Sequence, residues 1–229
     1  METQVMQLSV IVPILNEKEQ IAPLLRHLQD LQALEGCEVI VVDGGSTDGS
    51  VETLQPSGLQ LVHAARGRAV QMNAGALVAK GYWLLFLHAD SQLPREAFRS
   101  ISGLEKENVH WGRFDIQIVG NSFWFPLIAT LINLRSRFSG IATGDQAIFV
   151  RRSLFEAIGG FPAQPLMEDV ELSCRLRSYY RPHCFWKKVK TSGRRWEKFG
   201  VLRTILLMWR LRFDYWRGVS AERLAKRYE

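Results

Sequence analysis

Residues Leu8 to Val12 form a short, β-branched run that is apolar but for Ser9, and Glu38 to Val42 read as a second buried strand. Between them Ile21, Leu24, Leu25, Leu28 and Leu31 keep helical spacing. Asn16 stands as the N-cap of that helix with Glu19 three residues later, the pattern of a capping box, and Gly36 closes it. A strand without polar alternation is buried on both faces, the signature of a parallel sheet. Two such strands joined by a helix require a right-handed crossover, which leaves a nucleotide-sized crevice at the strands' carboxyl ends. This opening unit commits the chain to an α/β architecture.

The rest of the chain extends that pattern. A third strand is expected over Leu59 to His63, a small-residue helix over Gly67 to Ala79, and a fourth strand over Tyr82 to Leu87, running on to Asp90. After Pro94, Phe98, Ile101 and Leu104 share one helical face. Strands follow over His110 to Val119 and Ala147 to Val150, then helices from Ser153 and over Glu168 to Tyr179. There is no internal repeat, low-complexity stretch or linker. A single domain, 1–229, is expected, with a core over about residues 8–180 and a helical, basic C-terminal extension over about 181–229.

At 229 residues, 47% of them hydrophobic, the chain is long enough to bury a substantial core. Its net charge of +6 is concentrated between Arg175 and Arg227, a block suited to acidic lipid headgroups, pyrophosphate or nucleic acid. No nucleic-acid motif accompanies it, so no nucleic-acid partner is expected. Cys37, Cys174 and Cys184 form no C-x-x-C pair and are odd in number, which fits reduced thiols in the cytoplasm. The N-terminus lacks a basic n-region, so no secretory signal is expected. No segment reaches the roughly 18 apolar residues needed to span a bilayer.

Several acids stand where such a fold presents ligand contacts. Asp43 directly follows the second buried strand, in Val41-Val42-Asp43-Gly44-Gly45-Ser46-Thr47-Asp48. Its carboxylate could meet an imide nitrogen or a ribose hydroxyl, or Asp43 and Asp48 could simply cap turns. Arg66 and Arg68 precede the small-residue helix, where cations and helix N-terminal amides both favour phosphate. Asp90 can supply one hard oxygen ligand to Mg²⁺ or Mn²⁺, or cap the following helix. Glu168-Asp169 opens a helix, where acids also stabilise the dipole.

The order of the Asp43 turn, Asn73-Ala74-Gly75, His88-Ala89-Asp90, Gly144-Asp145-Gln146 and Gly159-Gly160-Phe161 leading to Glu168-Asp169 resembles glycosyltransferase family 2 over roughly residues 8–175. That resemblance implies a GT-A fold, Rossmann-like and mostly parallel, with a UDP- or GDP-type sugar donor and an inverting single displacement. Asp169 would then be the base that deprotonates the acceptor hydroxyl, with Glu168 orienting it. Asp90 would hold the metal. Pro13, Asn16, Glu17, Asp43, Arg66, Arg68 and Asn73 would line the nucleotide side, Gly144 and Asp145 the acceptor side, and Arg194 and Arg195 the leaving diphosphate. His88 takes the place of the first acid of the family's Asp-x-Asp. Ser192 takes the place of Gln in the Gln-x-x-Arg-Trp of processive synthases, so transfer of one sugar is expected.

A nucleotidyltransferase would share the crevice and the metal, but Pro13-Ile14-Leu15-Asn16-Glu17 lacks its Gly-rich basic run. A glycosidase needs two carboxylates but has no use for the Asp43 turn. A catalytically inactive membrane-surface or interaction module is the non-enzymatic alternative. Two segments bear on membranes. Phe123 to Leu134 is strongly apolar, and Phe199 to Val219 sets Trp209, Phe213 and Trp216 beside Arg203, Arg210, Arg212 and Arg217. Such a helix can lie in a lipid interface or pack on the core or another subunit. A sugar or lipid-linked acceptor and a peripheral place on the inner face of the plasma membrane are the corresponding expectations.

Overall fold

The computed structural model describes residues 6–228. In chain order these form β1 (Leu8–Ile14), α1 (Lys18–Gln32), β2 (Cys37–Asp43), α2 (Ser50–Leu54), β3 (Gln60–His63), α3 (Arg68–Val78) and β4 (Trp83–Phe86). There follow β5 (Ser91–Gln92), α4 (Ala97–Ser102), β6 (Trp111–Val119), α5 (Phe125–Ser139), β7 (Phe149–Arg151) and α6 (Arg152–Ala157). The chain ends with α7 (Glu168–Tyr179), β8 (His183–Ser192), α8 (Arg194–Phe199), α9 (Val201–Trp216) and α10 (Ala221–Tyr228).

One eight-stranded sheet runs in the order β3-β2-β1-β4-β7-β6-β8-β5. The first four strands are parallel, and every residue of β1 and β2 is buried, as their largely apolar runs favour. Apolar side chains cover both faces. Leu24 and Leu28 of α1 join Val10, Val39 and Leu85 on one side. Met72 and Ala76 of α3 join Ile11, Ile40 and Leu84 on the other. Gly75 lets α3 sit this close, because a Cβ there would lie 2.5 Å from Cγ2 of Ile11.

Two elements depart from the sequence expectation. Asn16 does not cap α1: Glu17 occupies that position without a side-chain cap bond. The free amides of the first turn are satisfied from across the crevice, with Lys18 N–H donating to Asp48 Oδ2 at 2.8 Å and Glu17 N–H donating to Ser50 Oγ at 3.0 Å. Asn16, in a left-handed conformation, instead accepts from Thr47 N–H at 2.9 Å. A cap from a residue distant in sequence leaves no local pattern.

β8 is the second departure. Residues 183–192 fall within the expected C-terminal extension, yet they pair in parallel along β6, so the core sheet continues to Ser192. The register shifts between Phe114 and Asp115, where β8 carries the exposed Trp186, Lys187 and Lys188. That bulge hides the alternation that marks a strand.

The apolar stretch near Phe125, to which the sequence assigns no element, is a helix, α5, fastened to β6. Asn133 accepts from Ile116 N–H at 2.8 Å and donates to Ile116 C=O at 3.1 Å. Arg113 and Arg137 both pair with the buried Asp115 beneath it. These polar bonds, and a small cluster of Ile116, Ile118, Phe125 and Ile128, fix how α5 faces the sheet.

Candidate active site

A cavity of about 630 Å³ opens at the carboxyl ends of the central strands, between α3, α5, α7 and α9. Arg68, Asp90, Gly144, Asp145, Glu168, Asp169 and Arg195 all line it, although they come from five separate stretches of chain. Arg135, Thr143, Met167 and Arg212, which local spacing does not single out, line it as well.

Asp169 sits in the first turn of α7. Its Oδ2 accepts from Gly144 N–H at 2.7 Å, and its Oδ1 accepts from Val170 N–H at 2.7 Å. Both bonds fix the carboxylate while leaving each oxygen a further lone pair. Gly144 is required there: a Cβ would lie 2.3 Å from Nε2 of His88. Met167, just before this helix, is a non-glycine residue in the left-handed region, a strained conformation placed next to the two acids.

Glu168 is buried, with Arg68 Nη1 3.8 Å from its Oε1. Burial and the neighbouring Asp169 charge push its carboxyl up to about 7, against the pull of Arg68. Asp145 is also raised, chiefly by burial, and its Oδ1 has no hydrogen-bond partner among the described residues. His88 is held well below the ordinary imidazole range by burial and by Arg68, so at neutral pH it is uncharged. Its Nε2 is likewise unpartnered among the described residues.

Asp90 faces the same space, accepting only a 3.2 Å bond from Ser91 Oγ. Nearby, Glu17 and Arg194 approach to 3.8 Å. Burial raises the Glu17 carboxyl, with Arg194 opposing and the Asp90 charge adding to the rise. Arg195 also lines the cavity, but its guanidinium donates to Tyr228 C=O at 2.7 Å and stacks 3.7 Å over the Tyr228 ring.

The remaining sequence candidates lie at the edge of this space or behind it. Asp43 is 2% exposed, and its carboxylate accepts from Gly45 N–H and Ser46 N–H at 3.0 Å, with His63 Nδ1 at 3.4 Å. Burial would raise this carboxyl, but those bonds outweigh it and hold it below the usual range. Asn73 spends both ends of its amide on the Phe161 backbone, at 2.9 Å each way, and so ties α3 to the Gly159-Gly160-Phe161 turn. Pro13 is buried within β1, and Arg66 is exposed before α3. Among the described residues no three His, Cys, Asp or Glu side chains gather to hold a metal ion.

A curled, mostly parallel sheet flanked by helices, with acids at the strand ends around one cleft, defines a glycosyltransferase of the GT-A fold class. The chain belongs to glycosyl transferase family 2, whose defining pattern matches residues 9–159. Among curated proteins it is similar to an undecaprenyl-phosphate 4-deoxy-4-formamido-L-arabinose transferase of Pseudomonas savastanoi pv. phaseolicola, 25% identical over 76% of this chain and 52% of that one. A PGL/p-HBAD biosynthesis glycosyltransferase of Mycobacterium tuberculosis is 30% identical over 67% of this chain and 62% of that one. The chain thus spans about half the length of the first relative. Its fold is like that of S. aureus TarS 1-349 in complex with UDP-GlcNAc (TM-score 0.61, 21% identity, 82% of this chain and 58% of that one). It is also like the mannosyltransferase PcManGT of Pyrobaculum calidifontis in complex with GDP-Man and Mn²⁺ (TM-score 0.60, 22% identity, 80% and 56%).

Proposed function

We propose that this chain transfers one sugar from a nucleoside-diphosphate donor to an acceptor hydroxyl, with inversion at the anomeric carbon. The observation that carries this reading is the shared cavity of Asp90 and Asp169, one acid at the end of the β4 segment and the other held by Gly144. The acceptor oxygen attacks the anomeric carbon as Asp169 takes its proton, and the bond from that carbon to the diphosphate oxygen breaks. Arg68, Arg194 and Arg195 supply positive charge for the departing diphosphate, and Arg195 would exchange its Tyr228 contact to do so. Glu168, close to half protonated at neutral pH, orients Asp169 and the acceptor.

The nucleotide lies at the carboxyl ends of β1 and β2. There Asn16, Glu17 and the Asp43 turn shape its seat, Pro13 sets the end of β1, and Asn73 steadies the wall behind it. Asp90 has no ion-pair partner among the described residues, and one free carboxylate suits Mg²⁺ or Mn²⁺ that takes its other ligands from phosphate oxygens and water. A bound ion would act there as a Lewis acid toward the diphosphate. UDP-GlcNAc in one structural neighbour and GDP-Man with Mn²⁺ in another make uridine and guanosine donors the first to test.

The arabinose transferase relative is named for undecaprenyl-phosphate, which supports a lipid-linked acceptor. The surface supports it too. Trp124 at the N-cap of α5 and Leu127, Leu131, Leu134 and Phe138 along it are exposed, and on α9 Leu202, Leu206, Trp209, Phe213 and Trp216 are exposed, each set at alternating three- and four-residue spacing. Two apolar stripes, with arginines beside that of α9, suit a peripheral seat in an anionic lipid interface on the cytoplasmic face. No described helix is long and apolar enough to cross a membrane.

Thermal shift across UDP- and GDP-sugars, with and without Mn²⁺, tests the donor half, since a bound nucleotide stabilises by mass action. Stabilisation by one donor class in the presence of the ion is expected. No shift with any donor would remove the reading.

A further inference from the structure

The cavity also carries two cations that the transfer reaction described above does not use. Arg135 comes from α5 and Arg212 from α9, so two helices distant in sequence each bring a cation to the space. Neither forms an ion pair among the described residues. Arg135 reaches only Thr143 Oγ1, at 3.5 Å, and its buried Nε has no partner there. Burial and the charge of Arg212 push the Arg135 guanidinium down to about 10, although Asp145 and Asp169 act the other way. Two like charges, partly stripped of water and without a carboxylate in contact, form a site that an anion completes.

The surroundings say what kind of anion. Ile128, Leu131 and Ile132 of α5 and Ile205, Met208 and Trp209 of α9 line the same cavity. Leu131 and Trp209 also belong to the exposed stripes, at 54% and 68% accessible, so this apolar trench includes residues open to the protein surface. A ligand that fills it has an anionic head at the inner end and an apolar tail toward lipid. Two guanidinium forks lining one cavity suit a phosphate, whose several oxygens can accept from both at once. Arg68 and Arg194, nearer Asp90 and Glu17, remain for the donor diphosphate.

We propose that Arg135 and Arg212 seat a phosphate ester of a lipid acceptor, apart from the acceptor hydroxyl that Asp169 deprotonates, with the apolar chain leaving along α5 and α9. The inference rests on the glycosyltransferase reading for the word acceptor, but the seat itself can be tested without turnover.

Trp196 and Trp209 line the cavity and report binding by their fluorescence. The full chain in mild detergent would be titrated with geranylgeranyl phosphate, geranylgeraniol, inorganic phosphate and phosphatidylglycerol. UDP and GDP binding would be measured in parallel. Expected is a preference for the phosphate over the alcohol of about tenfold to a hundredfold, the size of a charge-assisted contact. R135Q/R212Q should erase that preference and keep nucleotide affinity, and R135K/R212K should restore part of it. R212Q alone, at a half-buried position, should weaken the preference even if the double variant does not fold.

Equal binding of phosphate and alcohol by the unaltered protein would overturn the proposal, as would a preference that survives in R135Q/R212Q. Nucleotide affinity falling together with lipid affinity would assign the pair to the donor diphosphate. Inorganic phosphate or phosphatidylglycerol competing as well as geranylgeranyl phosphate would mean that the trench reads no acceptor chain. If no nucleotide binds while the phosphate preference stands, the donor reading fails and the lipid-phosphate seat remains.

Discussion

The backbone N–H of Gly144 donates to Oδ2 of Asp169 across 2.7 Å, joining the turn before β7 to the first turn of α7. This bond gives the acid a fixed direction toward the cavity. It also depends on the absence of a side chain at position 144, where His88 fills the space.

Asp169→Asn is therefore expected to lower transfer by roughly a hundred- to ten-thousandfold, the range of a general base, with donor affinity nearly unchanged. Steady-state kinetics combined with nucleotide titration would check this. Near-normal turnover would move the role to Glu168 or Asp145.

Gly144→Ala places a methyl group against the buried His88 ring and should destabilise the fold by about 1–3 kcal/mol, the usual cost of overpacking. Because the same residue holds Asp169, activity should fall further than the stability loss explains. Denaturant melts compared with residual activity below the transition would separate the two effects.

Asp90→Ala should make donor binding indifferent to added Mn²⁺, and a chelator should weaken nucleotide-sugar binding to the unaltered protein. Calorimetric titration with and without the ion reads both. Donor binding unchanged in excess chelator would leave the diphosphate to arginines alone.

Glu168 predicts a pH signature. Its folded carboxyl titrates near 7, above the ordinary value of 4.5, because burial and Asp169 favour the proton. The folded state then binds more protons than the unfolded chain between those values, so this group's contribution to stability falls as pH rises through that window. Below about 4.5 the contribution is fully present. Glu168→Gln should remove this dependence, so its urea midpoint relative to the unaltered protein should rise between pH 5 and pH 8. A constant difference across that range would refute the shifted carboxyl.

The exposed stripes of α5 and α9 should bind anionic vesicles in a salt-sensitive way, with each nearby arginine contributing about 1 kcal/mol. Replacing Phe213 and Trp216 by Ser, both exposed on α9, should reduce co-sedimentation without altering nucleotide binding. Equal partitioning of variant and unaltered protein would assign the stripes to a subunit contact.

Much of this molecule was legible in the chain because its signals are local. A largely apolar run buries β1 and β2 on both faces, helical spacing is enough to orient α1 on them, and α7 begins at Glu168 as its pattern indicates. That Asp90 follows a strand and Asp169 opens a helix could also be read from the chain, and both acids line the one cavity.

Tertiary structure alone decided what depends on distant partners. Capping of α1 comes from Asp48 and Ser50, thirty or more residues away, so Asn16 is free to hold Thr47 instead. β8 joins the sheet through its register with β6, and the bulge that admits it erases the strand's own periodicity. Arg135 and Arg212 read in sequence as two arginines on amphipathic helices. Only the packing of α5 on β6 and of α9 over α7 brings them to one cavity, and burial without a paired carboxylate there gives two ordinary surface cations a chemistry of their own.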